Sequence, residues 1–88
     1  MKEWLYCSYA DYAGFRGAVF VKADGVINAA LKVRLLGISP GGQMIAFPYP
    51  EESLPPEEYR NKLLLESDLE KLWPGEFKRL GDMKNESD

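Results

Sequence analysis

Residues 2–10 (KEWLYCSYA), charged at the start and then largely apolar and aromatic, suit a β-strand, whose period of two sorts them onto two faces. Trp4, Tyr6 and Ser8 fall on one side, and Leu5, Cys7 and Tyr9 on the other. The second set looks more like core. Residues 11–15 form a short loop with Gly14 as its breaker, and a second strand follows over 17–23, β-branched and aromatic in composition. The two strands form a loose hairpin.

Two readings compete after Asp24-Gly25. The pair is a strong hairpin signal between apolar runs, and residues 31–35 would then alternate as a strand. Asp24 is equally suited to cap a helix. At 100° per residue, Val26, Ala29, Ala30, Val33 and Leu36 share one face, with Asn28 and Lys32 opposite. Ile27, Leu31 and Leu35 widen the apolar arc, and Arg34 falls within it. The ending favours the helix. Gly37 suits a left-handed C′ position, Ile38 would then pack on Val33, and Pro40 stops continuation. A helix over about 25–36 is therefore expected. Residues 39–42 (SPGG) read as a turn, 43–47 as a returning strand, and Pro48 and Pro50 end it.

Beyond Pro50 the pattern weakens. Residues 51–58 are acidic and Pro-rich, a linker opening into a short helix with Tyr59 and Leu63 as neighbours one turn apart. Ser67-Asp68-Leu69-Glu70 fits a capping box, predicting a last helix from Asp68 to about Trp73, stopped by Pro74-Gly75. Phe77 and Leu80 would add one turn, and 81–88 form a frayed polar tail. The expected whole is one small α+β domain over 1–80. It is a three-stranded sheet of β-β-α-β order, with one helix across a face and short C-terminal helices. The alternative is a small all-β barrel built on the Asp24-Gly25 hairpin.

Composition changes this picture in few places. Eighty-eight residues with ordinary apolar and charged fractions suit one folded domain with a limited core. No apolar run approaches a membrane span, and the N-terminus lacks the apolar core of a secretory signal. Cys7 is the only cysteine and cannot form an internal disulfide, which fits a reducing, cytoplasmic setting. Charge is lopsided. Residues 1–50 hold five cations against three acids, whereas 51–88 hold six against eleven. An acidic half of this kind argues against a general nucleic-acid backbone binder.

The chemistry on offer is sparse. The chain has no histidine, so metal centres and His-dependent nucleophilic catalysis lack their usual groups, and neither a metal nor another cofactor is expected. No Ser sits in a nucleophile elbow, Cys7 on a strand reads as a small buried hydrophobe, and no enzyme is expected. The loop at 37–43 (GISPGGQ) is Gly-rich but leaves a helix rather than entering one. Turn chemistry alone explains it.

Two functions survive this reading. The first is a small interaction module, an adaptor or inhibitor, that binds a protein partner or itself. Its expected surface is Trp4, Tyr6 and Tyr12, if the sheet leaves that face uncovered, together with the acidic C-terminal half. The second is a small-molecule or anion site formed by Arg34 with Ser39, Gly41, Gly42 and Gln43.

Overall fold

The computed structural model describes residues 2–74. Strand β1 (Glu3–Asp11) turns through Tyr12 and Ala13 into strand β2 (Gly14–Ala23), and helix α1 (Val26–Leu35) leads to strand β3 (Gln43–Pro48). Two short 3-10 helices, Glu51–Ser53 and Glu57–Tyr59, precede helix α2 (Glu66–Leu72). The sheet is open, ordered β2-β1-β3, with both neighbours antiparallel to β1. It is an α+β architecture and not a closed barrel. Strands β2 and β3 therefore run parallel to each other, with β1 between them. The helical crossover spans two strand spacings, roughly 10 Å, which its short connections can reach.

The contest at Asp24-Gly25 resolves as helix. Gly25, not Asp24, is the N-cap, and its φ of 92° is open to glycine. Asp24 contributes its carbonyl, which accepts a hydrogen bond from Asn28 Nδ2 at 2.7 Å. The C-terminus closes as a Schellman motif. Gly37 adopts φ 72° and donates to the Arg34 carbonyl, while the N–H of Ile38 reaches the Val33 carbonyl at 3.3 Å. Ile38 packs onto the core that contains Val33.

Both faces of the sheet are covered, and this is where the structure departs furthest from expectation. On one face Leu5, Cys7, Tyr9, Val19 and Val21 pack against Ala29 and Val33 of α1, with Met44 and Ala46 at the margin. On the other, Ala18 and Phe20 pack against Leu64 and Leu69, ringed by Trp4, Tyr6, Tyr49, Leu54 and Trp73. Residues 49–74 thus form a strap over the aromatic face.

The strap is not the helix expected around Tyr59 and Leu63. After Glu57–Tyr59 the chain extends, Asn61 takes φ 58°, and the backbone pairs with β2. Ala18 and Leu64 exchange N–H···O bonds of 2.9 and 2.8 Å, and Asn61 donates to Phe20. The open edge of β2 captures the segment, because paired backbone groups outweigh one isolated helical turn. Helix α2 begins earlier than expected. Leu65 is its N-cap, and the Asp68 carboxylate accepts from the Leu65 N–H at 2.9 Å, so Asp68 fills the N3 role assigned to Glu70. The Phe77–Leu80 turn and the 81–88 tail lie outside the described residues.

Candidate functional site: an open strand edge

The expected aromatic surface is largely consumed by the fold. Trp4 and Tyr6 are half-buried. The Arg60 guanidinium stacks over the Trp4 ring at 5.4 Å, and Tyr6 sits 5.0 Å from Phe20 and 5.3 Å from Phe47, centroid to centroid. Burial raises the Tyr6 pKa, opposed by a hydrogen bond with Ser8. Strand alternation separated this face correctly from Leu5, Cys7 and Tyr9, yet it gave no sign that the strap would return to cover it. Tyr12 is fully exposed at the β1–β2 turn, apart from the other two.

Arg34 makes no hydrogen bond or ion pair with the 39–42 loop. Arg34 is exposed on α1, and the cation beside the loop is Arg16. A bulge in β2 puts it there. Tyr9 pairs with Gly17 and Ala10 with Phe15, so Arg16 is the extra residue. Its Nη1 meets the Asp11 carboxylate at 2.7 Å and its Nε donates to the Pro40 carbonyl at 3.0 Å. Asp11 is held below the usual carboxylate range, first by the Ala13 N–H and then by Arg16. The Ser39 hydroxyl accepts weakly from Gly41 N–H at 3.4 Å. Gly42 lies so close to β1 that a Cβ there would be 2.7 Å from the Ala10 carbonyl oxygen. Gln43 opens β3 and is exposed. These contacts tie the loop to the β1–β2 hairpin and occupy its cation.

Among the described residues, the outer edge of β3 has no backbone partner. The Tyr49 N–H donates to the Trp4 carbonyl at 2.9 Å, which sets the phase of the β1–β3 ladder. Bonded pairs then recur at Tyr6/Phe47, Ser8/Ile45 and Ala10/Gln43. The backbone groups of Met44, Ala46 and Pro48 point away from β1. The same alternation points Ala18 and Phe20 outward on β2, and there the strap bonds both. On β3 nothing among the described residues does so. Pro48 stands at an outward position, where a missing N–H breaks no ladder bond. Beside this edge Ile45 is 68% and Phe47 45% exposed, and β3 contains no charged side chain. A second apolar surface lies on α1, where Ile27, Leu31 and Leu35 are 84%, 52% and 79% exposed. Sequence reading placed those three in the helix's apolar arc, but only Ala29 and Val33 are buried.

Sequence reading missed the β3 edge. Its signal is Pro48, which is tolerated on an edge strand, following QMIAF, a run without the charges that usually block edge pairing. Among the described residues no group of three or more His, Cys, Asp or Glu can hold a metal ion, and no helix is long and apolar enough to cross a membrane. No family model matches the chain, and no match was found among curated proteins or solved structures.

Proposed function

We propose that this protein is an interaction module that recognises an extended protein segment by strand addition at β3. The unpaired outer edge of β3 carries this reading, with Ile45 and Phe47 exposed beside it. Main-chain groups of Met44 and Ala46 supply the hydrogen bonds, and the two side chains supply an apolar contact. The recognition surface is thereby moved from Trp4 and Tyr6, which serve the fold, to the strand next to them. The role is binding rather than catalysis, in a cytoplasmic setting suited to a single buried thiol. The Arg16 contacts support the 39–42 loop as a connector rather than an anion site.

The test is a paired capture experiment using the wild-type chain and Ala46→Pro as baits in one lysate. Proline removes an outward N–H that β1 does not use, as Pro48 already does two residues on. The expected result is a stoichiometric bound chain, foreign or a further copy of this one, that is lost with Ala46→Pro. Identical captured sets for the two baits would contradict the proposal.

A further inference from the structure

We infer that the segment added at β3 is β3 of a second copy, paired antiparallel about a two-fold axis through Ala46, giving a continuous six-stranded sheet. The inference rests on the strand-addition reading above and names its partner. A two-fold contact needs a self-complementary surface, in which residue i meets j and j meets i. The β3 edge has that symmetry. With Ala46 on the axis, its N–H and C=O exchange bonds with those of Ala46 in the other copy, and each Met44 N–H reaches the opposite Pro48 carbonyl. Both outward donors are used, and the Met44 carbonyl, which faces a proline without an N–H, stays open to water at the end of the ladder.

Side chains decide the register. Ile45 and Phe47 flank Ala46 symmetrically, so each Ile45 lies opposite the other copy's Phe47 in a non-hydrogen-bonded pair, where side chains approach most closely. Moving the axis to Ile45 would instead set Phe47 against Gln43. Charge is compatible with antiparallel pairing. The strand itself is uncharged, so no like charges meet across it. Its leading end lies beside the Arg16–Asp11 ion pair, and its trailing end runs into exposed Glu51 and Glu52. Antiparallel pairing keeps the acidic ends of the two copies at opposite ends of the contact, so they do not repel across it. The contact is confined to the edge of one six-residue strand, so the expected dimer is weak and dilutes to monomer.

Sedimentation equilibrium over a wide concentration range tests this on the full chain. The expected result is a monomer–dimer equilibrium, weakened about tenfold or more by Ala46→Pro and by Ile45→Lys, each checked for folding by circular dichroism. Ile45→Lys leaves the backbone unaltered and introduces repulsion only if the edges meet. Register is read by oxidation. A mixture of Ile45→Cys and Phe47→Cys chains should cross-link, whereas Ile45→Cys alone should not, because Cys7 is buried and silent. Two results would overturn the inference: a monomer at every concentration, or a dimer that neither edge variant weakens. Cross-linking of Ile45→Cys with itself would overturn the Ala46 axis. A strict monomer that still loses a foreign partner with Ala46→Pro would remove the second copy and leave strand addition standing.

Discussion

Gly17 marks the closest approach between β2 and the strap, and its role is steric. A Cβ there would sit 2.6 Å from Leu63 Cδ1 and 3.2 Å from the Leu64 carbonyl oxygen, and the residue holds φ 146°. Gly17→Ala should therefore cost roughly 1–3 kcal/mol in urea unfolding, since both the contact and the backbone conformation resist a methyl group. A change below a few tenths would show that the strap is not seated as described. Cys7 makes a second prediction. Burial lifts its pKa from 9.0 to about 11, so below pH ~9 native and unfolded chains both keep the proton. Between about 9 and 11 only the unfolded chain releases it, and stability falls as pH rises. Cys7→Ala should lose less stability than the wild type across that window, measured by denaturant titration at each end. Equal losses would mean that the thiol is not responsible.

At the scale of elements, α1 is set by its ending more than by its apolar face. Gly37→Ala forces a side chain into φ 72° at the Schellman position and should destabilise by about 1 kcal/mol. Leu31→Gln, on the exposed stripe, should change stability by no more than about 0.5 kcal/mol, because the residue is already 52% exposed. A loss of several kcal/mol at Leu31 would mean that the stripe is covered. These contrasts show what was legible in the sequence. The helix, its Gly37–Ile38 close, the three strands and the division of β1 into two faces follow from local rules: period, cap and turn. The role of residues 57–64 was not legible, because an extended strap beside β2 depends on a distant strand offering Ala18 and Phe20. For the same reason Trp4 and Tyr6 read as a surface if their face stays uncovered, and the apolar arc takes in Ile27, Leu31 and Leu35. Amphipathic arcs say which residues are apolar, but not how wide a face the partner covers.

For the whole molecule, the sheet carries a core on each face, and its two edges are treated differently. Leu64 joins the strap to both the β2 edge and the aromatic core, so Leu64→Ala should cost roughly 2–5 kcal/mol, read from the shift in the denaturant midpoint. A cost near zero would mean that the second core contributes little. With β2 closed by the strap and β3 unpaired among the described residues, the proposed strand addition rests on that asymmetry. The most direct test is residue-resolved amide hydrogen exchange across β3 at low and high protein concentration. In dilute solution Ile45 and Phe47, bonded to β1, should be protected, while Met44 and Ala46 exchange freely. At high concentration Met44 and Ala46 alone should slow. Equal protection of all four amides in dilute solution would contradict an open β3 edge and the function built on it.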